Sequence, residues 1–511
     1  MTKQKAPRLP AIWSWLPALT LTIFIPACAD DPATDGSELS EEDWEPEPTD
    51  EANGESALSV LKGERPGVVV IVEYVEGADV DATTDSLRDA YGLEVTSRFR
   101  EAFPGATFIA PDEATVGSLE SDAMVAGVER DQIRSLAARG IGSVEESEDE
   151  PRTAPPVAEP AAQRGSTGWH MINGAAAENE GGGIRVAVID SGVDIDHPDL
   201  KSGISGGKNC ISGKKPPDDG DGHGTHVAGI IAARHNSRGV VGVAPSARIV
   251  PVKVLDGNGE GTTSSIICGI DFVARHHKSI RVANMSLGWD CTDCADLRES
   301  RAVRKAVRNG VTVVGATSND EIPASQDFPT ALSQVIAVSE YVDGDANGRV
   351  NRGDHFDACG FGPEIDITAP GDTIMSTFKG GKYQNLSGTS MATPHVTGAA
   401  AIYLKFRPAS SPADVREALR AFARRTVPGR STRHPEPLLD MNWLTSRPTS
   451  ETGCGDGECT GAENDSSCPQ DCGCNVEETC TTSAPYGCYC DSDCKEEEDC
   501  CADACDVCGQ C

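Results

Sequence analysis

Three short segments of the chain carry the side chains that could perform acid–base and nucleophilic chemistry. Asp190 follows the apolar run Val186–Ile189 and precedes a Ser-Gly turn, and His223 lies between two glycines. Ser390 lies where a glycine-containing loop leads into an apolar stretch that begins at Met391. A carboxylate, an imidazole and a hydroxyl can form a relay in which the histidine takes the serine proton and the carboxylate orients the histidine.

Each of these segments taken alone also has an ordinary structural explanation. An aspartate at a strand end is usually a turn or cap residue, and a serine at the start of a helix is usually an N-cap. His223 and His226 are three residues apart, but no glutamate follows in the H-E-x-x-H manner of zinc proteases. The start of a helix does give Ser390 a positive local field and unbonded backbone N–H groups.

The three segments together resemble the subtilisin-like serine proteases (subtilases). The chain order Asp190, His223, Ser390 is the order of that family, and the stretch Gly-Thr-Ser-Met-Ala-Thr-Pro-His around Ser390 is highly specific to it. An α/β-hydrolase needs the order Ser, Asp, His and is therefore excluded. The resemblance runs from about Gln163 to Asp440 and implies an endopeptidase that forms an acyl-enzyme. An exopeptidase of the same fold and an inactive protease-fold binding protein stay open as alternatives.

The resemblance also implies a partner for the negative charge that develops on the substrate carbonyl. The backbone N–H of Ser390 is one donor, and the side-chain amide of Asn319 is the other. The chain has Thr317-Ser318 before this asparagine, where family members usually have Ala-Gly. We therefore expect a narrowed or more polar primary specificity pocket that prefers small or unusual residues.

By the same resemblance, substrate binds as an added strand between two segments of the chain. One edge is Ser286-Leu287-Gly288, and the other contains Gly259 and Gly261. Trp289 replaces a glycine that is common after the first of these edges, and we expect it to cover part of the cleft. Cys291 and Cys294 lie just beyond it and form either a local disulfide or a pair of thiols.

A structural calcium ion is a further expectation from the resemblance. Asp199, Asn236 and Gln163 match positions that provide oxygen ligands in relatives, and such ligands suit Ca²⁺. Arg234 and Arg238 in the same loop argue against the site. Some of the ligands in relatives are backbone carbonyls, however. No organic cofactor is implied.

The pattern from Trp169 to about Leu444 predicts an α/β domain with a mostly parallel sheet covered by helices on both faces. Buried β-branched runs alternate with helical segments there. The predicted strands are Arg185–Ile189, Ala247–Val254, Arg281–Met285, Val311–Gly315 and Val335–Val338, and the predicted helices are Gly224–Ala233, Thr263–Arg275 and Asp296–Asn309. In such sheets the reactive side chains belong at the carboxyl ends of the strands.

A smaller α+β domain is predicted before the catalytic domain, which we place at 163–445. Residues 67–137 read in the order β-α-β-β-α-β, from the strand Val68–Val72 through helices at Ser86–Tyr91 and Glu113–Ser121 to a last strand, Val125–Glu129. This segment resembles the inhibitory (I9-type) propeptide of subtilases, which would make the chain a zymogen with its own intramolecular inhibitor. An unrelated small α/β module is the alternative.

The N-terminal residues 1–28 predict export from the cytoplasm. Lys3, Lys5 and Arg8 precede an apolar run that ends at Ala27, and prolines interrupt that run, which makes it a poor membrane span. Two cleavage sites compete. Cys28 fits a bacterial lipobox, in which it would be lipidated, and Ala27-Cys28-Ala29 fits an ordinary signal-peptidase site. The protein is therefore either secreted or lipid-anchored at the cell envelope.

The acidic charge balance excludes nucleic acid as a partner. The position of the acidic residues along the chain also indicates where the linkers lie. The chain has 80 acidic against 44 basic residues, and the acidic excess sits mainly before Pro66 and after Glu451. We assign linkers to 29–66, 138–162 and 446–453. Maturation is expected within the polar connector 141–165.

The C-terminal residues 454–511 form a cysteine-rich domain. They carry 14 of the 20 cysteines, which predicts a disulfide scaffold made in an oxidising compartment, with a zinc cluster as the alternative. The part from Cys474 onward resembles a somatomedin-B-like knot. Binding to a partner or surface is one expectation for this domain, and a protease-resistant cap is the other.

Overall fold

The computed structural model describes residues 54–136, 163–174, 180–352, 354–356 and 359–444. The predicted signal peptide, the linker 138–162 and the cysteine-rich domain lie outside the described residues. The described residues all belong to one compact unit. It contains a first region, which ends at residue 136, and a second region, which begins at residue 163.

The first region is a four-stranded antiparallel sheet with helices on its surface. Its elements are α1 (Gly54–Leu61), β1 (Val68–Tyr74), α2 (Val80–Tyr91), β2 (Glu94–Phe99), β3 (Gly105–Ala110), α3 (Glu113–Glu120), β4 (Val125–Arg130) and β5 (Ile133–Ser135). The sheet order is β2-β3-β1-β4. From β1 to β4 the elements follow the predicted β-α-β-β-α-β order. Strand β5 leaves this sheet and pairs elsewhere.

Two elements of this region differ from the sequence-based prediction. Helix α2 begins at Val80 and not at Ser86, because Asp79 caps it by accepting a hydrogen bond from the backbone N–H of Ala82 at 2.8 Å. Helix α1 occupies part of the predicted acidic linker. Its buried Ala57 packs with strand residues of the small sheet, so the packing of this region begins before residue 66.

The second region carries the larger sheet. Its strands are β6 (Arg185–Asp190), β7 (Lys208–Asn209), β8 (Arg248–Lys253), β9 (Glu260–Thr262), β10 (Ile280–Met285), β11 (Trp289–Asp290), β12 (Thr312–Ala316), β13 (Asp327–Phe328), β14 (Ile336–Val342), β15 (His355–Phe356), β16 (Ile367–Pro370), β17 (Ile374–Phe378) and β18 (Lys382–Leu386). Its helices are α4 (Thr167–Met171), α5 (His223–Ala232), α6 (Thr263–Arg275), α7 (Arg298–Arg308), α8 (Thr389–Phe406) and α9 (Pro412–Phe422). The predicted strands and helices correspond to members of this set within a few residues.

The main sheet confirms the predicted α/β class. In the described residues it has eight strands in the order β15-β14-β12-β10-β6-β8-β7, with β16 also paired to β14. All its pairings are parallel except that of β14 with β15. One apolar cluster joins α5 and α8 to one face, and a second cluster joins α6 and α7 to the other. The central strands are therefore buried on both sides, as their unbroken apolar runs predict.

Two disulfides lie in the described part of the second region. Cys210–Cys268 links the segment after β7 to helix α6. Cys291–Cys294 closes a short loop after β11, which decides between the two alternatives left open for that pair.

Candidate active site

Asp190 is held at the carboxyl end of β6, in the middle of the main sheet. Its side chain is fully buried, and its Oδ1 accepts a 2.7 Å hydrogen bond from the backbone N–H of Ser191. Helix α5 can approach this point because Gly224 has no side chain. A Cβ there would lie 2.1 Å from the carbonyl oxygen of Gly192 and 3.1 Å from the Cβ of Asp190. The glycine after His223 therefore permits a close approach of helix and strand.

His223 is the first residue of α5 and is buried against Asp190. Its Nδ1 lies 2.8 Å from Oδ1 and 3.0 Å from Oδ2 of that carboxylate. Because an ionised carboxylate only accepts hydrogen bonds, this contact fixes the tautomer with the proton on Nδ1. The other ring nitrogen, Nε2, is buried and has no hydrogen-bond partner among the described residues. The imidazole thus has one nitrogen, Nδ1, that is bonded to Asp190, and another, Nε2, that can accept a proton.

The electrostatic surroundings favour the protonated form of this histidine. Burial by itself lowers the pKa of His223, but the charge and hydrogen bond of Asp190, with smaller effects of Asp221 and Asp219, raise it above the ordinary value. A base with a raised pKa accepts a proton more readily, provided that the pH is high enough for it to be neutral beforehand.

The loop before His223 is positioned by Asp219, which sequence reasoning missed. This buried carboxylate accepts hydrogen bonds from the backbone N–H groups of Gly222 and Thr225, each at 2.9 Å. It also accepts one from Ser191 Oγ at 2.9 Å, and that hydroxyl accepts from Gly224 N at 3.0 Å. The network ties the strand end that carries Asp190 to the helix start that carries His223. The acidic residue four positions before the histidine was the available signal.

Ser390 is the second residue of α8 and is fully buried. Its Oγ donates a 3.2 Å hydrogen bond to the carbonyl oxygen of Ser286, and the Oγ of Ser286 donates to the carbonyl of Ser390 at 2.9 Å. Ser390 is therefore tied to one predicted edge of the substrate cleft. No hydrogen bond between Ser390 Oγ and His223 is present in the described region, so the predicted proton transfer to Nε2 requires the hydroxyl to turn away from Ser286. Such contacts often tighten only when substrate is bound.

Asn319 lies just past β12 and faces the start of α8. Its Oδ1 accepts a 2.9 Å hydrogen bond from the backbone N–H of Thr389. The Oγ1 of Thr389 lies 2.9 Å from the same oxygen and 2.6 Å from the carbonyl of Thr317, and its one proton is shared between these two acceptors. The contacts with Thr389 use the oxygen of the amide and not its NH₂ group. The role of that NH₂ group as a donor to the oxyanion stays a prediction.

Comparison with known proteins now identifies the family. The subtilase family, Peptidase S8, matches residues 181–443, the segment that contains all three of these side chains. The chain belongs to the subtilase family. It is a serine-type endopeptidase.

Two relatives illustrate the extent of the similarity. Subtilisin E of Bacillus subtilis (strain 168) is 38% identical over 334 residues, which cover 65% of this chain and 78% of that protein. Subtilisin Savinase of Lederbergia lenta is 41% identical over 259 residues, which cover 50% of this chain and 90% of that protein. The crystal structure of a cold-adapted subtilisin-like serine proteinase is 32% identical, covers 52% of this chain and 90% of that one, and has a TM-score of 0.45.

The two residues predicted to line the specificity pocket of this subtilase are both buried. Thr317 and Ser318 have no exposed surface. The backbone N–H of Ser318 donates to Asp327 at 2.7 Å. Thr317 lies so close to Gly360 that a Cβ on that glycine would be 2.9 Å from the threonine Cβ. Both residues are thus packed against other segments of the subtilase. The predicted pocket preference remains a prediction.

A strand of the first region occupies the predicted substrate edge of this subtilase. Strand β5 pairs antiparallel with β9, with Arg134 opposite Gly261. The backbone N–H of Leu136 then donates to the carbonyl of Gly259 at 3.0 Å. Both predicted edge glycines are therefore in contact with a strand of the same chain. The opposite edge, Ser286-Leu287-Gly288, is buried.

The predicted calcium ligands are brought together, but their amides point their nitrogens inward. Asn236 Nδ2 donates to Asp199 Oδ1 at 2.8 Å. Gln163 Nε2 donates to the carbonyls of Arg234 and Val240 at 2.6 and 3.1 Å. In this orientation the oxygens of Gln163 and Asn236 accept from the backbone N–H groups of Ser237 and Arg238, at 3.2 and 3.1 Å. Both bonds would have to break, and both amides turn, before this set of oxygen donors could hold Ca²⁺.

The positive charge of Arg234 does not face these ligands. Its guanidinium donates to the carbonyls of Pro245 and Ala247. Arg234 is therefore a weaker argument against the calcium site than the sequence indicated.

A second group of oxygen ligands lies in the loop after β14, and sequence reasoning missed it. Carboxylate oxygens of Asp343, Asp345 and Asp354 lie within 4.8 Å of one another. The sequence Asp-x-Asp-x-Asn-Gly from Asp343 to Gly348, followed after five residues by Asp354, matches the spacing of an EF-hand calcium loop with aspartate in place of the final glutamate. That spacing was the signal available in the sequence.

Proposed function

We propose that this subtilase is exported as a zymogen and hydrolyses peptide bonds through Ser390, His223 and Asp190. The observation that carries the proposal is the state of the imidazole. Its Nδ1 is fixed by Asp190, whereas its buried Nε2 has no hydrogen-bond partner in the described part of the chain. A buried, unpaired nitrogen has a cost, and here it is the atom that must take up a proton.

The reaction follows from these groups. Ser390 Oγ forms a bond to the substrate carbonyl carbon while His223 Nε2 takes the hydroxyl proton. The resulting oxyanion is stabilised by the Ser390 N–H and by the NH₂ group of Asn319. The C–N bond then breaks as Nε2 returns the proton to the leaving amine, which leaves an acyl-enzyme. Water repeats the sequence and releases the acid, and Asp190 stabilises the imidazolium in both halves.

The zymogen part of the proposal is supported by strand β5. A segment that already pairs with Gly261 and Gly259 prevents another peptide from adding to the same edge. The match with subtilisin E spans 334 residues, more than the segment 181–443 that the family covers. We therefore propose that residues 67–137 act as an inhibitory propeptide and that the connector after them is cut during maturation.

The site of action is proposed from the N-terminal residues. The signal-like segment directs the chain out of the cytoplasm, and Cys28 either anchors it through lipid or is removed with the signal. Within the described residues, no helix combines the length and the apolar character that a bilayer crossing requires. The cysteine-rich C-terminal residues would then add a disulfide module with a surface or protein ligand.

A labelling experiment tests the catalytic proposal. Mature wild-type enzyme should react with a fluorophosphonate probe and cleave an end-blocked peptide, and the Ser390→Ala variant should do neither. Ser387→Ala is the matched control, since that hydroxyl bonds to Asp372 and not to the catalytic groups. Undiminished labelling of the Ser390→Ala variant would sink the proposal. Cleavage of free-ended but not of blocked peptides would favour an exopeptidase.

The zymogen proposal predicts a second result from the same variants. Ser390→Ala should accumulate as the full precursor, whereas wild type and Ser387→Ala should lose their N-terminal region. N-terminal sequencing and intact mass of the mature protein locate the cut. Processing of Ser390→Ala at the normal rate, in a host without other proteases of this class, would show that the chain does not mature itself.

We propose structural Ca²⁺ as the cofactor, bound at Asp199, Asn236 and Gln163. The measurement is the thermal unfolding midpoint with CaCl₂ and with a chelator. Loss of the calcium effect in Asp199→Asn supports this site. Loss in Asp345→Asn alone would place the effect at the loop after β14. A midpoint that calcium does not change in the wild type would contradict the proposal.

A further inference from the structure

The strand that fills the substrate edge of this enzyme carries an arginine whose side chain is almost buried. Arg134 is the central residue of β5, lies opposite Gly261, and its side chain is 15% exposed. Arginine is rarely buried unless it is paired. The groups that receive its guanidinium belong to the catalytic region and remain there after the first region has left.

Two side chains form the receptor for this guanidinium. Its Nη2 lies 3.0 Å from Oε1 of Glu299, whose side chain has no exposed surface. Its Cζ lies 4.2 Å from the ring centroid of Trp289. A planar cation between a carboxylate and an indole face makes both a charge-assisted hydrogen bond and a cation–π contact.

The receptor is built into the catalytic region. Glu299 is the second residue of α7, where the positive end of the helix favours a carboxylate. Trp289 stacks on Phe328 with ring centroids 4.4 Å apart, and strands β11 and β13 pair these same two residues. Neither side chain therefore depends on β5 for its position.

Glu299 is not fully satisfied even with Arg134 in place. Its Oε2 is buried and has no hydrogen-bond partner in the described residues. Burial raises the pKa of Glu299, whereas the charge of Arg134 and its hydrogen bond lower it. A buried carboxylate with one unpaired oxygen favours a ligand that brings positive charge and several N–H donors.

We propose that Glu299 and Trp289 form a specificity subsite that selects arginine in substrates, at the position that pairs with Gly261. The inference rests on the proposed function, because it takes β5 as a stand-in for substrate on the same cleft edge. Arginine should be preferred over lysine, since only the guanidinium is planar enough to stack on the indole and to present a fork of donors. An apolar or acidic side chain at this position would leave the carboxylate without a counter-charge.

Peptide cleavage by the mature wild-type enzyme gives the first test. The probe is an end-blocked peptide that copies residues 131–142, with Gln in place of Arg139 so that only the position of Arg134 varies. That position carries Arg, Lys, Leu or Glu. We expect kcat/KM to be roughly 10- to 100-fold higher for Arg than for Leu, the range for one hydrogen bond to a charged group, with Lys intermediate and Glu lowest. Mass spectrometry confirms that all four are cut at the same bond.

A variant enzyme gives the second test. Glu299→Leu should lose the preference for Arg and should cut the Leu peptide at least as well as wild type does. To avoid an unpaired arginine in the precursor, it is produced together with Arg134→Leu, which leaves with the first region. Glu299→Gln, which keeps the shape, should fall between the two. A folding defect would lower cleavage of every peptide alike, whereas the proposed role reverses the order of two of them.

The outcomes separate this inference from the proposal beneath it. If wild type cuts the Arg and Leu peptides within about twofold of each other, or if Glu299→Leu keeps the preference for Arg, the subsite is overturned while the endopeptidase stands. If the enzyme cuts neither these peptides nor casein, both the proposed function and the proposed subsite are wrong.

Discussion

Carboxylates are buried in two places: at the proposed catalytic site, and where the first region contacts helices α6 and α7. The two places differ in which region supplies the hydrogen-bond partners of the carboxylate. Asp190 is bonded by Ser191 and His223, which belong to the same region and stay with it. Asp271 on α6 accepts three backbone N–H bonds from residues 100–102 of the first region, at 2.7 to 3.0 Å. On our proposal that the first region is released, the partners of Asp190 are permanent. The three backbone partners of Asp271 are temporary, and of its described partners only Arg275 of the same helix, 3.2 Å away, stays.

If the first region is the inhibitor that we propose, this difference would let the chain hold it tightly and still release it. Asp271 and Glu299 are buried and bonded to residues of the first region, and burial raises the pKa of both. Once that region leaves, water or a substrate side chain must replace the lost partners. Asp190 is bonded within its own region, so the proposed maturation would leave those bonds in place.

The largest expected effect comes from breaking the permanent partnership. Asp190→Asn should lower kcat/KM on the order of 10⁴-fold, because an amide can donate to Nδ1 and thereby stabilise the wrong tautomer of His223. Peptide hydrolysis at a pH above the pKa of the histidine measures the loss. Asp218→Asn, a change at an exposed carboxylate nearby, is the control. A loss of less than tenfold would show that Asp190 does not orient the imidazole.

The next effect concerns the oxyanion. By the family resemblance, Asn319→Ala should lower kcat about 10²- to 10³-fold with little change in KM. Asn319→Asp is the matched variant, since its oxygen can still accept from Thr389 but it lacks the NH₂ group. Both variants should lose activity similarly. Full activity in Asn319→Asp would mean that the amide serves only to hold Thr389.

A smaller effect is expected from the temporary partnership. Asp271→Ala should destabilise the uncleaved Ser390→Ala precursor by about 1.5–3 kcal/mol, because three backbone N–H groups lose a charged acceptor. The mature enzyme should lose less, because alanine favours a helix and only the ion pair of Asp271 with Arg275 remains to be lost. Urea unfolding of both forms measures the difference. Equal losses in precursor and mature enzyme would contradict the division between permanent and temporary partners.

The smallest effect is a pH dependence of docking. Asp131 of the first region accepts hydrogen bonds from the Oγ and backbone N–H of Ser264, and burial raises its pKa from 3.8 to about 6. A group with a raised docked pKa takes up a proton on docking. Its contribution is therefore fully present below the ordinary pKa and is lost as the pH rises through about 6.

The measurement is the unfolding free energy of the Ser390→Ala precursor with and without Asp131→Asn, between pH 4 and pH 7. The Asp131 form should lose stability relative to the Asn form as the pH rises. Asp271, Glu299 and Glu73 titrate at the same contact, and the comparison of two variants cancels their effects to first order. If the difference in unfolding free energy between the two forms stays constant with pH, the protonation of Asp131 does not contribute to docking.

Elements with local signals were predicted closely. Helix α6 has the predicted bounds, Thr263–Arg275, because a capping box of Thr262 and Ser265 fixes its start within four residues of sequence. Helix α1 was missed because its polar and acidic neighbours look like a linker. Its burial comes from contact of Ala57 with β1 and β3, which lie further along the chain.

The residues that we propose for catalysis could be chosen from the sequence, whereas the contact of Arg134 with Glu299 could not. Asp190, His223 and Ser390 each lie in a motif that is specific in combination. Glu299 reads as an ordinary charged residue of an amphipathic helix. Its contact with Arg134 joins residues 165 positions apart, and no local pattern records such a pair. The loop from Asp343 to Asp354 is a different case, because its spacing was visible and was overlooked.

The sequence by itself therefore determined the reaction class, since the types and order of three side chains suffice for it. It also determined the parallel sheet, because buried β-branched runs alternating with helices have few other arrangements. Only the tertiary structure decided which carboxylate meets which cation, which way the Asn319 amide faces, and which strand fills the cleft. Those outcomes depend on burial and on contacts between distant segments, and both exist only after the chain has folded.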